Sequence, residues 1–425
     1  MKLPFNFIQK SESTPPKTIL VHSSGMETFI CSLNPAASLY EDVADEKEVN
    51  NCFEELKKYC KEENIELITV KDALLLNKNS EELKQLAAEA LNYKKGKEEQ
   101  EEEQKAPNHR KNSFEDFLKY SSETYKKSVL DKFTREHLID VILTRPTIEL
   151  RHSDKDTHIV PTLISFNPLG NLIFCRDQQI TTKKGVIMGR TRTFQRKSEH
   201  QVMKQVFKNL NVNILGEIPE KEGTFLEGGD YFVAREDLSM LGIGLRTSIL
   251  GANYLMENDL LGTRYMALCY DEFDKDQQRM HLDTYFNILN DKNVAVIDFD
   301  DVSKKVNKKV ERRVFYYDND NNSKEIESDR KEFKNKIGNY KLIKIYDSFY
   351  KFLDDMGFNY IKITHEEQIN YMINFLNIGN NTIISVNKDA ENKFKDLDIK
   401  VKYFDFRHIL NMYGGMHCMT QVSRF

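Results

Sequence analysis

The chain has 425 residues, 40% of them hydrophobic and 30% charged, and a formal net charge of −5. That length suffices for a large core, as one embellished domain or as a few domains of about 150 residues, and the negative balance argues against a general nucleic-acid binder. No run approaches the roughly 18 consecutive apolar residues of a membrane span, no apolar stretch follows Met1 as in a secretory signal, and six cysteines (31, 52, 60, 175, 269, 418) without CxxC spacing fit reduced thiols of a cytoplasmic protein better than disulfides or a zinc site.

The opening segment to Lys17 is polar and holds Pro15-Pro16, a loose lead-in. Thr18 to His22 predicts a short strand. Val49, Phe53, Leu56, Tyr59 and Cys60 are spaced for one apolar helix face over 46–62, and Ile65 to Val70 predicts a second strand. This β–α–β order points to an α/β fold. Residues 78–143 differ, being rich in Glu, Lys, Gln, Ala and Leu with almost no strand signal. Ser80 is placed to cap one helix and Ser113 to Leu118 opens another. Between them Lys94 to Lys111 is a charged low-complexity run, expected to be a surface loop. The span 78–143 is therefore expected to be a helical insertion in an α/β body made of 1–77 and 144–425.

Beyond it, strands are predicted at 157–160, 172–174, 185–189, 213–215, 231–234, 239–243, 294–298, 383–386 and 401–404, with helices around 249–262 and 347–355. Lys304 to Lys309 has no interleaved aromatic residues and reads as a solvated face. Asp318 to Ser323 alternates carboxylates but lacks the glycine and glutamate of a calcium loop.

The C-terminal stretch Tyr413-Gly414-Gly415-Met416-His417-Cys418 sets a cysteine after paired glycines. A cysteine nucleophile needs a base and groups to hold its substrate's charge. Three clusters offer them: Asn171 to Asp177, in which an acid ends a predicted strand; Phe225-Leu226-Glu227-Gly228-Gly229-Asp230; and Met280-His281-Leu282-Asp283. If the last is extended, His281 and Asp283 share a face. Alone, each is more often a cap, a tight turn or a structural histidine than a site. Together they suit a guanidinium, which a pair of carboxylates can hold bidentately while a thiolate attacks its carbon and a histidine moves protons.

In order and content these segments resemble arginine deiminase, of the guanidine-modifying superfamily. The motifs are Asn171 to Asp177, the Glu227 to Asp230 run, Gly242-Ile243-Gly244-Leu245-Arg246-Thr247-Ser248, Met280 to Asp283, and the glycine-rich His417-Cys418-Met419 segment, after an opening at Val21-His22 and Leu39 to Val43. The resemblance implies a five-fold pseudo-symmetric α/β propeller, with a helical bundle where the insertion lies. It implies that Cys418 is the nucleophile and His281 the general acid and base. Asp177 and Asp283 would bind the guanidinium, with Glu227 aiding proton handling. Asn171, Phe174, Asp230 and Gly415 would line the substrate pocket, and Arg246 and Arg196 would hold the substrate carboxylate. The implied reaction is hydrolysis of L-arginine to L-citrulline and ammonia, with no metal and no cofactor, in a homo-oligomer (dimer or tetramer) that binds neither nucleic acid nor membrane. Tyr413 stands where several arginine deiminases carry another substrate-clamping arginine; Arg407 is the nearby cation that could replace it. Two alternatives accompany this expectation: a sister activity on another guanidine (agmatine, a methylated arginine, or an amidino transfer), and a catalytically silent arginine-binding relative.

Overall fold

The computed structural model describes residues 7–76, 80–96, 111–153 and 159–425. The chain forms two compact units, one of Met1–Ser23, Glu48–Val70 and Leu172–Phe425, the other of Ser24–Lys47 and Lys71–Asn171. No described helix is long and apolar enough to cross a membrane.

Among the described residues, the larger unit holds five sheets, and each contains the same motif: an antiparallel pair, then a parallel strand reached through helical chain. The pairs and third strands are Gln179–Thr181, Val186–Met188 and Ile214–Glu217; Tyr231–Arg235, Leu238–Ile243 and Tyr265–Tyr270; Phe286–Ile288, Asn293–Ile297 and Asn359–Ile363; Leu376–Asn377, Thr382–Ser385 and Lys400–Tyr403; and Gln421–Ser423, Thr18–Val21 and Glu66–Thr69. The last motif joins the C-terminal strand to the N-terminal one. The second sheet is extended by Arg313–Asp318, Tyr340–Tyr346 and Lys336–Ile337.

The central strands are buried on both faces, which is why they read as unbroken apolar runs; Leu238–Ile243 is buried throughout. The helix Glu46–Glu62 turns Val49, Phe53, Leu56 and Cys60 inward, as its spacing predicted, while Tyr59, expected on the same face, is half-buried. One core packs Phe232, Phe286, Val296, Phe349 and Phe352; another packs Leu241, Leu255, Leu268, Phe315 and Phe333. Asp318, the first acid of the acid-rich stretch, ends the strand Arg313–Asp318 and is paired with Arg264 at 2.9 Å.

The smaller unit has helices Glu81–Ala90, Lys111–Tyr120, Glu123–Leu130 and Arg135–Thr144, and a sheet of Asn92–Lys95, Pro146–His152 and Ile159–Phe166. Ser122 and Thr134 cap two of the helices by accepting from the backbone N–H groups of Tyr125 and His137. Ser80 makes no such side-chain bond. The unit is wider than the expected 78–143 insertion because it takes in elements on both sides. Helix Met26–Ser32 packs on Arg135–Thr144, and Pro146–His152 pairs with Asn92–Lys95 on one side and Ile159–Phe166 on the other. Lys94 and Lys95 thus lie in a strand and Lys111 in a helix; residues 97–110 of the charged run fall outside the described residues.

Candidate active site

Four of the five motifs place the candidate residues. Asp177 comes just before the hairpin at Gln179, Asp230 before Tyr231, Asp283 before Phe286 and Cys418 before Gln421. Loops carried on a rigid scaffold are suited to this role. Two local expectations change. Asp177 does not end a strand: Gly170–Ile173 is a 3₁₀ turn and Asp177 leads into a strand. His281 and Asp283 are not on one extended segment, because Leu282–Thr284 is also a 3₁₀ turn.

Cys418 is buried, at 7% exposure. Its thiol donates to Asp283 Oδ2 at 3.4 Å and accepts from Asn374 Nδ2 at 3.1 Å. Burial, together with the negative charges of Asp283 and Asp177, pushes its pKa well above the usual thiol value; the Asn374 hydrogen bond works the other way. The glycine before it admits a side chain: a Cβ on Gly414 would lie 2.1 Å from the Phe174 ring. Gly415 accepts from Met419 N–H through its carbonyl.

Asp283 Oδ2 also accepts from His417 Nδ1 at 2.8 Å, while Oδ1 is buried without a hydrogen-bond partner. Burial opposes the Asp283 charge, but the His417 hydrogen bond and the positive charges of His281 and Arg176 hold its pKa below the usual range. Burial and the Arg176 charge lower the His417 pKa, against the Asp283 hydrogen bond and charge; facing a carboxylate, its Nδ1–H is the donor. The His417 ring stacks on Phe232, with centroids 4.9 Å apart.

His281 Nε2 lies 2.8 Å from Glu227 Oε2, and Nδ1 lies 3.9 Å from Asp177 Oδ1. Burial disfavours the imidazolium, but the Asp177 charge, the Glu227 hydrogen bond and Asp230 outweigh it and push the pKa up to about 10. Glu227 is held down to about 2 against burial, by the hydrogen bond and charge of His281, then by Arg246 and Arg196. The two form a buried imidazolium–carboxylate pair. Glu227 Oε1 also accepts from Arg192 N–H at 2.8 Å. A Cβ on Gly229 would lie 2.8 Å from the His281 ring, so this glycine gives the imidazole its space. Arg279, two residues before the histidine, and Arg312 share the buried Asp274, at 2.6 and 3.3 Å.

Three residues expected at the substrate have protein partners. Asp230 accepts backbone N–H groups from Leu282 (3.0 Å) and Thr247 (3.2 Å), tying two site loops together. Burial and the Glu227 charge push its pKa up to about 7. Arg196 bonds Asp177 Oδ2 at 2.5 Å and Glu199 Oε2 at 3.0 Å, because two buried carboxylates reach the same guanidinium. Asn171 belongs to the smaller unit and donates to Ser38 O at 3.1 Å. Arg246 is more open: it bonds Thr193 Oγ1 and Gln277 Oε1, while its buried Nε has no partner. Tyr413 is 49% exposed. Arg407 is exposed and paired with Asp405.

Sequence reasoning missed Asn374, His417 as a partner of Asp283, and Glu199. His417 lies beside the cysteine and Glu199 three residues from Arg196, so proximity could have flagged both. Asn374, amid Met372-Ile373-Asn374-Phe375, carries no motif.

The family model described as arginine deiminase matches residues 74–424. An arginine deiminase of Staphylococcus haemolyticus is 25% identical over 318 residues, spanning 69% of this chain and 72% of that one. One of Borreliella burgdorferi is 25% identical over 266 residues, 61% of this chain and 62% of that one. A solved structure of a dimethylarginine dimethylaminohydrolase adduct aligns over 96% of this chain and 100% of its own, at 14% identity and a TM-score of 0.49. The family match covers most of the sequence, and the chain belongs to the arginine deiminase family.

Proposed function

We propose that this protein hydrolyses L-arginine to L-citrulline and ammonia through a covalent amidino-thioether on Cys418. The observation that carries the proposal is the buried convergence of a thiol, the Asp283 carboxylate with its unpartnered Oδ1, and the His281–Glu227 ion pair. A planar cation is the ligand that such a set of acids favours.

The steps follow from the charges. Asp283 and Asp177 disfavour a thiolate at Cys418; a bound guanidinium brings positive charge that reverses the balance. As the guanidinium binds, the Cys418 proton is released to solvent; the thiolate attacks the guanidinium carbon, and the His281 imidazolium gives its proton to the nitrogen that leaves as ammonia. Neutral His281 then takes a proton from water, which attacks the same carbon and breaks the C–S bond, releasing citrulline. Arg246, with its unused Nε donor, is the cation best suited to the α-carboxylate. Arg196 serves chiefly to set Asp177. The five repeated sheet motifs support the five-bladed propeller reading of the larger unit.

The test is a citrulline and ammonia assay over arginine, agmatine, a methylarginine and canavanine. Arginine should be the best substrate; a preference for agmatine would assign the same thiol chemistry to another guanidine. An inactive protein that still bound arginine would be a silent relative.

A further inference from the structure

The fourth of the five sheet motifs contributes none of the expected catalytic residues, yet its leading loop also ends in a polar side chain. Asn374 comes two residues before Leu376, as Asp177 comes two before Gln179. It is 3% exposed. Its Oδ1 accepts from His417 N–H at 3.0 Å and Cys418 N–H at 3.2 Å. Its Nδ2 donates to Asp283 O at 3.1 Å and to Cys418 Sγ at 3.1 Å. The amide has one orientation in this setting: flipped, it would set NH₂ against two backbone donors and oxygen against a carbonyl.

We propose that Asn374 is a catalytic residue: its Nδ2–H stabilises the Cys418 thiolate, while its Oδ1 fixes the turn that aims the sulfur. The inference rests on Cys418 being the nucleophile of the proposed reaction. The need for such a donor is evident from the surroundings. The acids nearest Cys418, Asp283 and Asp177, both oppose its ionisation, and burial removes water as an alternative donor. A hydrogen bond to a charged acceptor in a dry site is stronger than one to a neutral acceptor. Asn374 therefore favours the thiolate over the thiol. A neutral amide does this without repelling a cationic substrate, which a lysine or arginine in its place would do. Gly415 belongs to the same device, since a Cβ there would lie 2.8 Å from Asn374 Oδ1.

The test reads the thiol itself and needs no substrate. Alkylation by iodoacetamide at fixed pH follows the thiolate fraction, and peptide mapping separates Cys418 from the half-buried Cys52, which serves as the internal reference. Asn374→Ala removes both functions; Asn374→Asp keeps the oxygen acceptors for the two backbone N–H groups and removes the donor. Both should alkylate Cys418 about tenfold or more slowly than wild type, with Cys52 unchanged. A purely structural asparagine predicts the opposite sign for Asn374→Ala, because the vacated space opens the cysteine to reagent. Should Asn374→Ala fail to fold, Asn374→Asp decides. Cys418 alkylation at or above the wild-type rate in a folded variant would overturn the donor role, whatever the enzyme's substrate. Slow alkylation in the variants beside a wild type inactive on arginine would instead leave the donor role standing and fault the substrate assignment.

Discussion

Glu227→Gln tests how proton transfer is organised. The wild-type carboxylate accepts from two donors, Arg192 N–H on Oε1 and His281 Nε2 on Oε2, each at 2.8 Å. An amide has one oxygen, so in either orientation its NH₂ faces one of those donors. The backbone N–H cannot yield its proton, whereas His281 Nε2 can. Breaking one side of a buried pair costs about 3–5 kcal/mol, and at about 1.36 kcal/mol per pKa unit this lowers the His281 pKa by about two to four units. Starting from about 10, the imidazole would titrate near or below pH 8. The assay is kcat/KM for arginine against pH, which reports the free enzyme's groups. The descending alkaline limb should move down by about two units or more, so the variant is most impaired at pH 8–9 and least at pH 6. An alkaline limb that stays in place would refute His281 as the acid whose proton Glu227 holds.

Asp283→Asn keeps the shape but makes one contact atom a donor, and should lower kcat/KM by at least about a hundredfold with the fold intact, as measured by steady-state kinetics and circular dichroism. Tyr413→Arg should lower KM for arginine and leave agmatine unchanged, since only arginine has a carboxylate for the added cation; one such charge-assisted bond is about 1.5–3 kcal/mol. Stability should also follow the ion pair. Glu227, lowered from 4.5 to about 2, contributes fully above pH 4.5 and loses its contribution as pH falls toward 2. His281, raised from 6.5 to about 10, contributes fully below pH 6.5 and loses its contribution as pH rises through 10. Urea midpoints should thus be highest between these limits, and Glu227→Gln should flatten both flanks.

Much of the scaffold was legible because the core strands are apolar on both faces: 231–234, 239–243 and 294–298 were evident from composition. Strands Arg313–Asp318 and Tyr340–Tyr346 were missed, since lysines, arginines and tyrosines dilute their apolar pattern. Strand Asn92–Lys95 alternates exposed and half-buried positions, but its residues, Asn-Tyr-Lys-Lys, carry no apolar–polar alternation that would show it. At the site, the residues with unusual chemistry stood out: a cysteine after glycines, a histidine flanked by an acid. The partners that decide how they act did not. That Arg196 binds Asp177, or that Asp230 ties down Leu282 and Thr247, depends on loops brought together from distant sequence. Asn374 is the clearest case, an amide between Ile373 and Phe375 whose significance rests on four hydrogen bonds in space.

The central claim is that Cys418 bonds to the guanidinium carbon. Its most direct test is mass spectrometry of protein quenched in acid during turnover of arginine, followed by mapping of the C-terminal peptide. The account predicts an adduct on Cys418 with the mass of arginine less ammonia, absent in Cys418→Ser, which should also lose several orders of magnitude in rate. An unmodified Cys418 throughout turnover, with citrulline still formed at a comparable rate by Cys418→Ser, would contradict it.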